Sequence, residues 1–223
     1  MRKLAATAAA IALALLPGLA LAQQIETDRV IEAARVLDEV LSAPDKGVPE
    51  AIIEKAQAVV VIPSTVKGAL LVGGQRGKGV MSVKSANGWS APAFVTLTGG
   101  SLGFQIGGQA TDIVLVVINE RGVTNLTQNT FKIGGDASVA AGPVGREATA
   151  STDYKMQAQI LSYSRSRGLF AGVSLAGSTI RADRDANERI YGVGYSTRNI
   201  VMERKVEPTA AAEAWLKLLN EKM

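Results

Sequence analysis

The chain is 223 residues long, with 24 Lys+Arg against 20 Asp+Glu, a formal charge of +4, and neither histidine nor cysteine. The two absences exclude Ser-His-Asp and Cys-His catalysis, disulfides, and metal sites built on His or Cys, so any chemistry would fall to carboxylates, Lys, Tyr or Ser. So mild a positive balance does not point to nucleic acid; no nucleic-acid partner, no cofactor, no metal and no enzymatic activity are expected.

Arg2 and Lys3 precede an apolar run from Leu4 to Ala22 that closes on Ala20-Leu21-Ala22. That is the layout of a cleaved secretory signal peptide with a small-x-small cleavage site. Pro17, Gly18 and the many alanines argue against a retained membrane helix. The expectation is cleavage near Ala22, a periplasmic or secreted protein, and a single mature domain over residues 23–223, a length usual for one domain.

"TDRVIEAARVLDEVLSA" places Val30, Ala34, Leu37 and Leu41 on one helical stripe, with Thr27 or Asp28 as the cap. The stripe suits packing on a core. Docking to anionic lipid through Arg29 and Arg35 is disfavoured by Glu26, Asp28, Glu32, Asp38 and Glu39 on the polar face. Pro49 suits the first turn of a short second helix reaching about Ala56.

From residue 58 the character changes. "AVVVIP" is an apolar, β-branched run, and "KGALLVGG" and "KGVMSVK" flank Gln75-Arg76-Gly77 as a hairpin would. Asn87-Gly88 is a strong turn signal. "PAFVTLTG", "SLGFQIGG", "DIVLVVIN", "ASVAAGPVG", "QILSYSRSR" and "LFAGVSLAGSTIR" supply further strands. Ten glycines between residues 71 and 110 suit turns, bulges and close backbone contact, not a helix bundle. A short helix is expected near residues 183–190, and a C-terminal one after Pro208, with Thr209 as its cap and Ala212, Trp215, Leu216 and Leu219 as its apolar face. Helices at the ends and strands between them predict an α+β fold: a Gly-rich, mainly antiparallel β barrel or sandwich flanked by N- and C-terminal helices.

"GGQRGKGV", Gly73 to Val80, invites comparison with a phosphate loop. A Walker motif needs four residues between its glycines and a hydroxyl after the lysine. Here only three residues separate Gly73 from Gly77, Gly79 follows Lys78, and a strand pattern follows where a helix is required. Two readings stay open: a hairpin tip with solvated cations, or a tip whose N–H groups and cations meet an anion. "DRDANE", Asp183 to Glu188, starts like a calcium loop but has Glu188 where glycine is needed and Gly194 where glutamate is needed; it reads as a polar turn or helix start. In "SYSRSRGLF", an extended backbone puts Tyr163, Arg165 and Arg167 on one face: a solvated strand face, an Arg–carboxylate network with Asp153 or Asp183, or an anion-binding surface. No short motif pairs two acids in an aromatic-rich groove, and aromatics are 4% of the chain, which disfavours a carboxylate-dependent glycoside hydrolase.

The segments "VVVIPSTVKGALLVGGQRGKGVMSV", "GWSAPAFVTLTGGSLGFQIGGQATDIVLVV", "GGDASVAAGPVGREATA" and "SYSRSRGLFAGVSLAG", with Tyr191-Gly192 downstream, cover most of residues 58–192. They resemble the SYLF-domain family of lipid-binding proteins, in its exported bacterial form. The resemblance implies a non-enzymatic lipid-binding module. Eukaryotic members associate with phosphoinositide-containing membranes and some with actin filaments; in an exported bacterial protein, actin binding is not expected. The expected partner is an anionic phospholipid or membrane surface; a protein partner is left unknown. The candidate headgroup-binding residues come from the physical reading: Lys67, Arg76, Lys78, Arg165 and Arg167, with Arg146 as a weaker addition. A structural envelope protein with a protein partner is the alternative. Trp89, Pro92 and Phe94 are expected to form a buried corner.

Overall fold

The computed structural model describes residues 23–43, 47–68, 73–101, 109–128, 130–144, 158–166, 169–172, 175 and 177–223. The leader over residues 1–22, most of "SLGFQIGG", and Arg146, Asp153 and Arg167 lie outside them.

The fold is α+β. Helix α1 (residues 23–41) and the short α2 (Glu50–Ile53) lead into β1 (Ala58–Gly68), β2 (Gly73–Ser85), β3 (Gly88–Trp89), β4 (Ala93–Ser101) and β5 (Gln109–Val117). Then come α3 (Glu120–Leu126), β6 (Thr130–Lys132), β7 (Val139–Ala141), β8 (Ile160–Ser166), β9 (Leu169–Gly172) and β10 (Thr179–Ala182). Three helices finish the chain: α4 (Arg184–Tyr191), α5 (Thr197–Val201) and α6 (Ala212–Lys222).

The strands form one sheet in the order β6-β10-β4-β2-β1-β5-β8-β7, with β3 beside β2 and β9 beside β8. All pairings are antiparallel except β7 with β8. The two edge strands, β6 and β7, follow each other in the chain, and an isolated bridge joins Ile133 to Ala137 between them. So short a link forces the sheet to curl until its edges approach, giving a half-barrel.

Alternation along each strand sorts its side chains between two cores. Inside the curl, Ile62, Met81, Leu97, Ile113, Phe131, Ile160 and Ile180 share one cluster, drawn from both limbs of the sheet. On the outer face, Val59, Val61, Val80, Phe94, Val114, Val116, Leu161 and Tyr163 pack beneath α1 and α6. Helix α1 contributes Val30, Ala33, Val36, Leu37 and Val40, and α6 contributes Trp215 and Leu219. Trp215 also donates from Nε1 to Ser82 Oγ at 2.9 Å. The expected corner is buried throughout, from Trp89 to Phe94.

Several expectations need correction. Gln75, Arg76 and Gly77 are not a hairpin tip: they lie inside β2, and the link from β1 falls at residues 69–72, outside the described residues. The glycines there serve close approach. A Cβ on Gly77 would lie 2.5 Å from Ile62 Cγ2, and one on Gly79 would lie 2.1 Å from the Val61 carbonyl oxygen. Opposite them, β1 carries a bulge between Val61 and Val66, with Ser64 at φ 48°. The turn after β2 passes over Ala86-Asn87, with Gly88 next at φ 84°.

Neither Thr27 nor Asp28 caps α1, since the helix already includes residue 23. Its first turn is held by Glu26, which is buried, not solvated as expected from the polar face. Thr209 does not cap α6 with its side chain; its carbonyl accepts the Ala212 N–H at 2.8 Å. Two helices were not anticipated. Asn119 opens α3 by accepting the Gly122 N–H at 2.9 Å, and Ser196 with Asn199 closes a capping box on α5.

Candidate functional site

Strand β2 runs unbroken beside β4 from Gly73 to Met81, so its side-chain phase can be carried from the core to the surface. Val80 faces the outer core; two and four residues earlier, Lys78 and Arg76 point out on the same side, and both are exposed. Beside them on β4 stand Thr96 and Thr98, in register with Lys78 and Arg76 respectively. Gly77 between the cations and Gly79 after them leave their inward positions to β1. The sequence pattern Arg-Gly-Lys-Gly therefore does two jobs: cations outward, close strand contact inward.

The Arg76 side chain has no ion-pair or hydrogen-bond partner among the described residues. Lys78 has one: its Nζ lies 3.2 Å from Asp183 Oδ2. Asp183 also accepts from Arg29 Nη1 at 3.0 Å and from the Ala186 N–H at 3.4 Å, so it joins α1, β2 and the start of α4. Arg29 lies 2.5 Å from Glu26 Oε2, an ion-pair contact outside hydrogen-bond geometry, and sits over the Phe94 ring at 5.3 Å. Arg189 completes the set at 2.6 Å from Glu26 Oε1. Burial opposes ionisation of Asp183, but hydrogen bonds and charge from Arg29 and Lys78 outweigh it and hold its carboxyl below the usual aspartate range.

The other candidates are placed differently. Arg165 shares the outer face, but β8 is three strand steps from β2, about 14 Å at ordinary strand spacing. It is directly opposite Asp112 on β5, bonds that carboxylate at 3.0 Å, and is also ion-paired to Glu39 of α1. Its side chain is 17% exposed. The Arg–carboxylate network considered for it is therefore present with other acids, Asp112 and Glu39 in place of Asp153 or Asp183. Burial and nearby Arg35 lower its pKa, against the pull of Glu32. Tyr163, on the same face, is buried, which pushes its phenol up. Lys67 pairs in register with Gln75 and Gln109, one position out of phase with Arg76, whose partner is Val66. Arg167 lies outside the described residues. The structure thus brings Arg76 and Lys78 together and commits Arg165 to a separate ion network.

Register also adds two cations that the sequence reading did not single out. Arg181 on β10 pairs with Thr96, and Lys132 on β6 pairs with Thr179. Both are exposed. The alternation in "TIR" and "TFK" marks their outward phase; which strands they adjoin is visible only in the sheet.

No group of three or more acidic side chains suited to a metal ion occurs among the described residues, and no described helix is long and apolar enough to cross a membrane. A cavity of 660 Å³ opens at the far end of β2, where Glu54, Glu120, Lys55 and Lys84 mix both charge signs around Val123 and Met202.

Fold and site together define an α+β half-barrel with an open, cationic strand face. The chain belongs to the Ysc84 family, described as Las17-binding protein actin regulator, whose family model matches residues 98–222. It is similar to Protein YSC84 of Saccharomyces cerevisiae, 34% identical over 80% of this chain and 38% of that protein. It is also similar to SH3 domain-containing YSC84-like protein 1 of Xenopus laevis, 34% identical over 72% of this chain and 50% of that one. The protein of the same name from Rattus norvegicus is 31% identical over 87% of this chain and 58% of that one. The chain thus spans between about two fifths and three fifths of the length of these relatives.

Proposed function

We propose that this protein is an exported, non-enzymatic module that binds anionic phospholipid headgroups through the outer face of β2. One observation carries the reading: Arg76 and Lys78 stand on adjacent outward positions of one strand, and Arg76 has no acid against it among the described residues. Adjacent threonines on β4 add hydroxyl donors, and charge-assisted contacts to phosphate are the stronger class of hydrogen bond. Lys67, in register with Gln75 and so out of phase with Arg76, is left out of this face; Arg165, held by two carboxylates, contributes through the fold. The leader-like residues 1–22 support export.

Co-sedimentation with phosphatidylcholine vesicles, with and without phosphatidylglycerol, tests the reading. The wild-type protein should pellet with the anionic vesicles. Arg76→Glu combined with Lys78→Gln should weaken that binding at least about 30-fold, from about 1 kcal/mol per cation lost near an anionic surface. Equal pelleting on neutral vesicles, or full binding by the folded variant, rejects the headgroup mechanism.

A second reading follows from the family description: a protein partner of the Las17 or actin type. A cationic strand face also suits an acidic protein surface. Export disfavours an encounter with actin. Co-sedimentation with actin filaments, in place of vesicles, separates the two readings.

A further inference from the structure

We propose that the docking surface is the outward face of four strands, β6-β10-β4-β2, and that Arg181 and Lys132 belong to it as fully as Arg76 and Lys78. The proposal rests on the lipid reading above and says which surface meets the bilayer.

Strand register builds this face. One row across the strands reads Thr130, Arg181, Thr96, Lys78; the next reads Lys132, Thr179, Thr98, Arg76. The residues between them on each strand turn inward, among them Phe131, Ile180 and Leu97, all in the interior core. Each cation therefore has a threonine beside it on the adjacent strand. Rows lie about 7 Å apart and strands about 4.8 Å, so the four charges cover roughly 7 by 14 Å.

Four positive side chains and four hydroxyls occupy these eight positions, with no carboxylate among them. Two acids approach the border. Asp183 meets Lys78 and is itself engaged by Arg29, and Asp136 accepts the Lys132 backbone N–H at 2.6 Å. Arg181 and Lys132 have no ion-pair partner among the described residues.

The shape selects the occupant. None of these eight positions is aromatic, and Phe94 and Phe131 on the same strands are buried, so the described face offers nothing on which a base would stack. Cations interleaved with hydroxyls on an open sheet complement a plane of repeated phosphates, and the partner chemistry that fits is an anionic lipid surface.

The test uses the full protein and phosphatidylcholine vesicles with and without phosphatidylglycerol. Lys132→Gln with Arg181→Gln should weaken binding to the anionic vesicles about 30-fold, at about 1 kcal/mol per cation. Arg181→Lys should keep it. Lys205→Ala is the control: it follows Arg204, which bonds the Asn87 and Gly88 carbonyls at the far end of β2, and it should bind as the wild type does. Circular dichroism establishes that each variant is folded; should the double variant fail to fold, the single Lys132→Gln, expected to lose about fivefold, takes its place. Wild-type binding that survives both losses overturns this face and leaves the lipid reading standing. An equal loss in Lys205→Ala overturns it in favour of diffuse charge. Wild-type protein that ignores anionic vesicles, whether or not it pellets with an acidic filament, overturns both.

Discussion

At Gly79 the distance from a built Cβ to the Val61 carbonyl oxygen would be 2.1 Å. That oxygen is fixed backbone at the edge of the β1 bulge, so it cannot yield as a side-chain tip would. Gly79→Ala should therefore lower the unfolding free energy by about 3 kcal/mol, the upper part of the usual range for overpacking. Gly177 provides the contrast. It has open space around a Cβ but sits at φ 82°, so Gly177→Ala should cost about 1 kcal/mol from backbone strain alone. Urea denaturation measures both; equal losses would reject close approach as the reason for Gly79. The cations follow a similar local logic. Arg76 and Arg165 look alike in sequence, but one faces open surface and the other sits between Asp112 and Glu39.

At the scale of elements, α1 is attached to the sheet in two ways. Its middle and end bury Val36, Leu37 and Val40 on the outer core, while its first turns bury charge through Glu26 and Arg29. Asp183 is the common point, touching α1, β2 and α4. Because the folded protein lowers the pKa of Asp183, the stability it contributes is fully present above the ordinary aspartate value near 3.9. That stability is lost as pH falls from there through the lowered folded value. Asp183→Asn should cost about 3 kcal/mol at neutral pH, since Arg29 would lose a buried partner. It should also flatten the stability profile below about pH 4 relative to the wild type. Thermal melts across pH 3–7 check both, and an unchanged acid limb in the variant would remove Asp183 from the explanation. Asparagine retains the oxygen that caps α4, so the variant isolates charge from capping. The helices missed from sequence, α3 and α5, are short and carry little apolar stripe; their capping residues Asn119 and Ser196 were the available signals.

For the whole molecule, curling determines what is available. Curling fills the interior of the sheet, and α1 with α6 packs on the centre of its outside, while Arg76, Lys78, Lys132 and Arg181 stay exposed on the β6-β10-β4-β2 limb. Four exposed cations at about 1 kcal/mol each correspond to roughly millimolar affinity for accessible lipid, so attachment should be peripheral and reversible. It should also fade with salt, as the screening length shrinks from about 10 Å at 0.1 M to about 3 Å at 1 M. Vesicle binding measured against NaCl concentration checks this. Salt-independent binding would instead point to apolar insertion, for which Val193, 85% exposed in the loop after α4, is the first residue to examine.

By itself the sequence determined the α+β class, the run of strands, the apolar helices at the two ends and the exclusion of His- and Cys-based chemistry. Those properties depend on residue type and on spacing within a dozen residues: the continuous β-branched run of "DIVLVVIN" marks a buried strand, and the 3.6 period of "RVIEAARVL" marks a helix. The tertiary structure decided which cations share a surface. Lys132, Arg181, Arg76 and Lys78 come from three distant parts of the chain and meet only through strand register, while Arg165 is drawn away by carboxylates from β5 and α1. Pairing between strands far apart in sequence leaves no periodic trace within either one, and an ion pair depends on where the whole fold delivers its partner.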